Sequence, residues 1–312
     1  MPRPRAILLM GPTGSGKTEL AAALVARFPL EIVSVDSAMV YRGMDIGTAK
    51  PPAELRARAP HRLIDLIDPA QSYSAARFLE DATRAIVEIA ARGRTPLLVG
   101  GTMLYFRALQ SGLAKLPAAD PALRRRLDER AAREGWESLH AELARLDPAA
   151  AARIRPGDRQ RIQRALEVVA ITGGPISARQ NQDLRGAATA TDLRLVLAPG
   201  DRARHGERLA ARFAAMMSQG LLEEVRALRA RGDLHAGLPA LRLIGYRQLW
   251  SHLEGRCTLE EAVQQAIIAT RQYARRQLTW LRAEPQAQWL DTDDAATPGQ
   301  VEDKVRDWLQ AA

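Results

Sequence analysis

Short apolar runs and helical stripes alternate along the first third of the chain. Ala6-Ile7-Leu8-Leu9-Met10 is an unbroken apolar run, followed by a helix-favouring stretch at 19–25. Residues 31–35 and 95–99 are again short, apolar and partly β-branched, and residues 61–66 are a weaker candidate of the same kind. Runs of this length bounded by Gly, Pro or Asp are expected for strands buried on both faces of a parallel sheet. Between them, Ala75, Phe78, Leu79, Ala82, Ile86 and Ile89 fall on one side of a helix. Ser72 or Ser74 can cap its start, and Gly93 ends it.

From about residue 121 the strand signal stops. Residues 121–146 and 148–171 read as arginine-rich helices. Leu193-Arg194-Leu195-Val196-Leu197 returns to strand character, and helical stretches at 202–218 and 221–231 follow. Residues 259–282 form a long helix with Val263, Ile267, Thr270, Ala274, Leu278 and Leu281 on one face. Arg271, Arg275 and Arg282 lie on an adjoining stripe. A last helix spans 299–309. The pattern predicts an α/β fold: a parallel β-sheet core flanked by helices, built from residues 1–117 and 192–312. An all-helical domain at 118–191 is inserted, with 180–191 as a loose return linker.

Chemistry enters at Gly11-Pro12-Thr13-Gly14-Ser15-Gly16-Lys17-Thr18. This is a P-loop, and strand, glycine-rich loop, helix is the context it requires. Glycines let backbone N–H groups ring an anion, and the helix N-terminus adds its own. Lys17 neutralises phosphate charge, and the Thr18 hydroxyl can ligate Mg²⁺. The loop reads phosphates or diphosphate; it does not by itself read ATP. Asp36 ends the second strand on the same edge of the sheet, where open α/β folds carry their ligands. It can act as a general base, hold Mg²⁺ as a Walker-B-like carboxylate, or cap the turn through Ser37.

Tyr41-Arg42-Gly43-Met44-Asp45-Ile46-Gly47-Thr48-Ala49-Lys50-Pro51 has no period and reads as a loop across the crevice. Gly100-Gly101-Thr102 follows a strand; it either brings backbone close to a ligand and aims the Thr102 hydroxyl into the crevice, or simply makes a tight turn. Arg208 and Arg212 share a helix face, and either can clamp a leaving pyrophosphate. Gln160-Arg161-Ile162-Gln163-Arg164 has the residue types that bind bases and phosphates, although a single helical arginine is usually only solvated.

Charge strengthens the case for a polyanionic partner. The net charge is +9 over 312 residues, but the excess of arginine over lysine also fits genomic base composition. Cys257 is the single cysteine, so no intramolecular disulfide and no cysteine-based zinc site can form. That fits a reducing cytoplasm. No signal peptide and no run of membrane-spanning length is expected. The guanine-reading motif of GTPases is impossible, because Asn181 is the sole asparagine.

The P-loop, the run from Asp36 to Pro51, Val99-Gly100-Gly101-Thr102-Met103-Leu104-Tyr105, and Ile244-Gly245-Tyr246-Arg247 together resemble bacterial tRNA dimethylallyltransferases. The likeness runs from about residue 6 to about residue 290. One departure is Gly14, where many members carry Ala, a change expected to be harmless. The resemblance implies transfer of a dimethylallyl group from dimethylallyl diphosphate to N6 of the adenosine 3′ of the anticodon. The P-loop, Gly11 to Thr18, then holds diphosphate. Asp36, Lys17, Thr18 and Arg212 are the implied catalytic residues, with Mg²⁺ at Thr18. The implied tRNA contacts begin with Asp36, Ser37, Ala38 and Met39, with Thr102 and Arg124 flanking the target. They continue with Gln160, Arg161, Ile162, Gln163 and Arg164, and with Arg242, Leu243, Ile244, Gly245, Tyr246 and Arg247. Arg275, Arg276, Gln277, Leu278, Thr279, Trp280, Leu281 and Arg282 complete them. The partners expected are the tRNA anticodon stem-loop and dimethylallyl diphosphate, with a monomeric enzyme and no membrane. An ATP-dependent P-loop kinase of a small molecule or nucleotide is the alternative.

Overall fold

Alternate residues of the first strand face opposite sides of one sheet, and both sides are covered. In the computed structural model, which describes residues 3–180, 192–284 and 286–311, six strands make that sheet: β1 (Ile7–Met10), β2 (Leu30–Val35), β3 (His61–Arg62), β4 (Thr95–Gly100), β5 (Leu193–Ala198) and β6 (Gln288–Asp291). Their order is β3-β2-β4-β1-β5-β6, and every neighbouring pair is parallel. Helices α1 (Lys17–Arg27), α2 (Ala53–Arg58), α3 (Ala75–Ala91) and α4 (Met103–Ser111) precede the inserted block.

On one face Leu8, Met10, Val33, Val35 and Leu98 pack with Phe78, Ala82, Ile86 and Ile89 of α3 and Phe106 and Leu109 of α4. On the other, Ile7, Leu9, Ile32, Leu97 and Leu195 pack with Ala21 and Leu24 of α1. Full burial of such side chains contributes about 1.5–3 kcal/mol each. That two-sided burial explains why the strands read as continuous apolar runs rather than alternating ones. In α3, the Ser74 side chain accepts a hydrogen bond from the Arg77 N–H, so Ser74, not Ser72, is the cap.

The chain divides into two compact units, one of Met1–Gln110 with Ala187–Ala312 and one of Ser111–Gly186. The expected boundary at 118 thus lies a few residues inside the second unit. The helical unit carries α5 (Pro121–Glu134), α6 (Trp136–Leu146), α7 (Pro148–Ala151), α8 (Arg159–Thr172) and α9 (Ile176–Gln180). The two long helices read from the sequence are each broken. Gly135, at φ 82°, separates α5 from α6. The second ends as α7 at Ala151; Pro156 and Gly157 lie in the turn that follows, and Asp158 starts α8 by accepting from the Arg161 N–H. Leu127, Leu139, Leu143, Ile162, Ala165 and Leu166 make this unit's own core. The return linker, apart from Gln180, lies outside the described residues.

After the insertion come α10 (Arg202–Ser218), α11 (Leu221–Ala230), α12 (Tyr246–Leu253), α13 (Leu259–Leu281) and α14 (Thr297–Gln310). Phe213, Leu221, Val225, Leu241, Leu249 and Ala266 knit the first four together, with Val40, Tyr41 and Met44 packed among them. Val301 and Val305 of α14 close the second face of the sheet. Five elements were not expected: α2, α4, α9, α12 and the edge strand β6, where only Leu290 is buried. The third strand stops after Arg62, because Leu63 and Asp65 take left-handed conformations at φ 65° and 57°. Lys50 and Arg56 hold the Asp65 carboxylate in place. Among the described residues no helix is long and apolar enough to cross a membrane.

Candidate functional site

Register alone brings three loops together. Met10 and Val35 both pair with Gly100, so β1, β2 and β4 end side by side. Their exits are the P-loop, Asp36 and Gly101, and all three line one cavity of about 1220 Å³ within the sheet-bearing unit, while Thr102 itself is not among the lining residues. Gly14 and Gly16 both sit at φ 73°, the left-handed region where glycine is unstrained. Gly14 therefore suits its place, and a side chain there would press on Leu209. Gly16 precedes the first turn of α1, whose free N–H groups open towards the loop.

Lys17 donates to the Pro12 carbonyl at 2.6 Å and to Ser15 Oγ at 3.1 Å. Burial pushes its ammonium down to about 7; Asp36 pulls it back up, while Arg212 lowers it further. Arg212 is itself lowered by burial and opposed by Glu19 and Asp36. These cations and carboxylates thus form one small interacting set. Arg208 is not part of it: it pairs with Asp293 at 2.5 Å. Of the two candidates on α10, Arg212 is the one lining the cavity.

Asp36 Oδ1 accepts from the Ala38 N–H at 2.7 Å and the Met39 N–H at 3.4 Å. The capping role foreseen for it is real, but it uses one oxygen. Oδ2 takes no hydrogen bond among the described residues and is available in the cavity. Thr102 Oγ1 accepts from the Ser37 N–H at 3.1 Å and lies 3.4 Å from Ser37 Oγ. Tyr273 of α13 stands beside them. Burial first, then the Asp36 carboxylate, push its phenol up to about 12, and Thr102 draws it partly back.

The loop of residues 41–51 is fixed from α11. The Glu224 carboxylate accepts from the backbone N–H groups of Asp45 and Ile46 at 2.8 Å, Gly47 at 3.2 Å and the Tyr246 hydroxyl at 2.6 Å. Lys50, almost wholly buried, donates to the Tyr41 carbonyl at 2.9 Å and to Asp45 and Asp65. The double glycine after β4 is explained by protein contacts. A side chain at Gly100 would overlap the Val35 carbonyl, and one at Gly101 would overlap the Gln277 amide.

The other sequence-derived residues fall into three groups. Ser37, Ala38, Met39, Arg242, Leu243, Ile244, Arg247 and Arg276 line the cavity. Arg275, Thr279, Trp280 and Arg282 are exposed on α13, while Leu278 is half-buried. Ile162, Gly245, Tyr246, Gln277 and Leu281 are buried, so their side chains or backbone support the fold from within. In the helical unit, Gln160 and Arg161 are exposed, and Gln163 donates to Asp128 at 2.7 Å. Arg124 and Arg164 are both held by the fully buried Glu167, Arg124 through two hydrogen bonds of 2.8 and 3.0 Å. The expected apolar face of α13 is rotated slightly: Ala262, Ala266, Ala274, Gln277 and Leu281 are its buried stripe, and Val263 and Ile267 are half-buried. Sequence reasoning missed Tyr273 and Glu224 as site residues and gave Gln277 no internal role. The only available signal was that Tyr273, Arg276 and Gln277 share a helical face.

For a metal, no cluster of three or more His, Cys, Asp or Glu side chains exists among the described residues. The Thr18 hydroxyl makes no hydrogen bond among them either. One hydroxyl and one free carboxylate oxygen lining the same cavity fit Mg²⁺ only when phosphate oxygens and water supply the remaining ligands.

Comparison with known proteins narrows what such a cavity serves. The family model described as IPP transferase matches residues 39–284. The tRNA dimethylallyltransferase of Bordetella petrii is 59% identical over 306 residues, covering 97% of each chain. That of Thioalkalivibrio sulfidiphilus is 56% identical, covering 99% of this chain and 96% of the other. Among solved structures, the tRNA isopentenylpyrophosphate transferase of Bacillus halodurans superposes with a TM-score of 0.72 at 35% identity, over 98% of this chain and 97% of that one. A eukaryotic dimethylallyltransferase acting on tRNA gives 0.81 at 25% identity, over 98% of this chain and 80% of that one. The family model takes in most of the chain, and these relatives align along nearly all of it; the protein belongs to the IPP transferase family.

Proposed function

We propose that the protein transfers the dimethylallyl group of dimethylallyl diphosphate to N6 of the adenosine 3′ of the anticodon in tRNA. The observation that carries this reading is the pairing of a phosphate-ringing loop with an uncommitted carboxylate oxygen of Asp36 at the ends of neighbouring strands. An exocyclic amine is a poor nucleophile, because its lone pair is delocalised into the ring. As N6 attacks the allylic C1, the C1–O bond to diphosphate breaks and N6 must lose a proton. Asp36 Oδ2 takes that proton, and the diphosphate leaves with the bonding pair. General-base help of this kind is worth on the order of 10²–10⁴-fold.

The leaving charge develops where Lys17, Arg212 and the N–H groups of the loop and α1 converge, which is electrostatic stabilisation in place before reaction. The Thr18 hydroxyl would hold Mg²⁺, which would supply further neutralisation of diphosphate charge when bound. The target base must leave its stack to reach Asp36. Thr102 and Ser37 are suited to hold it there, with Arg242, Ile244 and Arg247 at the mouth. Exposed arginines of α13 and of the helical insertion, with the half-buried Arg124 and Arg164 held by Glu167, serve the tRNA backbone and bases.

The test is a transfer assay with radiolabelled dimethylallyl diphosphate, Mg²⁺ and unmodified tRNA, with ATP omitted. Label in tRNA supports the reading. No label, together with ATP-dependent phosphorylation of a small acceptor, moves the protein to a kinase. Asp36→Ala is expected to keep tRNA binding and lose about 10²-fold or more of turnover; unchanged turnover removes Asp36 from the chemistry.

A further inference from the structure

Beyond Met10 and Gly100 the ladder between β1 and β4 ends, yet the two chains must still be held together. Gly11 turns into the P-loop, and Gly101 leads to Thr102. The gap between them is bridged by one side chain. Gln277, buried in α13, accepts the Thr13 N–H at 2.9 Å through Oε1 and donates to the Gly101 carbonyl at 2.7 Å through Nε2. A carboxamide has the donor and acceptor of a peptide group, so Gln277 supplies the next rung of the ladder where backbone no longer can.

Two further observations support the same junction. A side chain at Gly101 would overlap the Gln277 amide and come within 2.9 Å of the Gly11 carbonyl, so glycine there leaves room for this bridge. The other side of the same P-loop residue is also pinned: His205 Nε2 of α10 lies 2.9 Å from the Thr13 carbonyl, bonding as a donor. Thr13 is thus gripped through its N–H by α13 and through its C=O by α10. Only the α13 contact continues to a second loop, the one bearing Thr102.

We infer that Gln277 is a positioning residue that locks the diphosphate-binding loop and the Thr102 loop into a single register, so that the leaving group and the acceptor base are held at a fixed separation. The inference rests on the transferase reading above. It adds that α13 does more than present cations: the turn that places Tyr273 and Arg276 in the cavity also sets the spacing of the two half-sites.

The experiment compares wild type with Gln277→Met and Gln277→Glu. Methionine fills similar volume with neither hydrogen bond. Glutamate keeps an acceptor for the Thr13 N–H but sets a second acceptor against the Gly101 carbonyl. Three quantities are read: affinity for inorganic pyrophosphate with Mg²⁺ by calorimetry, kcat for transfer at saturating substrates, and melting temperature. Gln277→Met is expected to lose about ten-fold or more in both pyrophosphate affinity and kcat. Gln277→Glu is expected to keep pyrophosphate affinity close to wild type while kcat falls by about ten-fold or more. That split is one a merely structural residue does not produce. If both variants lose binding and turnover in step with melting temperature, or if both behave as wild type, the inference fails while the transferase reading stands. If wild type itself binds no pyrophosphate, the reading fails and the inference falls with it.

Discussion

The charge of Lys17 is altered by its surroundings. Its ammonium is brought to about 7 mainly by burial. An incoming diphosphate favours the charged form, so binding at pH 8 is expected to draw a proton from solution. Calorimetry of pyrophosphate binding in buffers of different ionisation enthalpy measures this directly, and affinity is expected to fall as pH rises above about 7. The same shift acts on stability. Between about 7 and the ordinary lysine value of 10.5 the unfolded chain holds the proton more tightly, so this residue opposes folding most at low pH and less as pH climbs. Lys17→Met is therefore expected to raise the melting temperature of the free protein near pH 7 while abolishing pyrophosphate binding. That Lys17, Thr18 and Asp36 line one cavity was legible in the sequence, because a strand, its loop and the next helix carry their geometry locally. Gln277 was legible only as a member of a helix, because its partner Thr13 is 264 positions away. Tyr273 was hidden for the same reason: nothing in an amphipathic pattern says which residue of a face meets which loop.

At the level of elements, the crevice loop depends on α11. Three successive N–H groups and the Tyr246 hydroxyl converge on the Glu224 carboxylate. Hydrogen bonds to a charged acceptor, one of them from the buried Tyr246, make Glu224→Ala cost about 2–3 kcal/mol. Urea denaturation measures that loss, and amide exchange at residues 45–47 is expected to accelerate more than exchange in β1. Glu224→Gln keeps acceptor oxygen and should lose less. Element type was read well where burial dictated it, as in β1, β2, β4, β5 and α3. Boundaries failed where local turns outweighed periodicity: Gly135 broke one helix that the apolar pattern continued, and the turn at 152–157 broke the other. The edge strand β6 escaped because one buried side chain, Leu290, leaves too little pattern to detect.

The whole molecule carries a net charge of +9, and on α13 the exposed Arg275 and Arg282 make no ion pair among the described residues. Association with tRNA is expected to weaken steeply with salt, and Arg275→Ala to lower the salt slope by about 1. Filter binding across a salt series reads this, and an unchanged slope would remove Arg275 from the RNA-facing surface. Domain organisation was visible in the loss and return of strand signal, because a helical insertion interrupts a sheet without disturbing its periodicity on either side. That interruption governs the order in which the protein is made. β1 is a central strand flanked by β4 and β5, and β5 follows the inserted unit. A ribosome therefore releases β1 with one edge open and keeps it so until the whole insertion has been translated. At about 5–20 residues per second that wait lasts several seconds. The helical unit, built from neighbouring segments, can finish first, while the strand that leads into the phosphate loop waits with one apolar edge open.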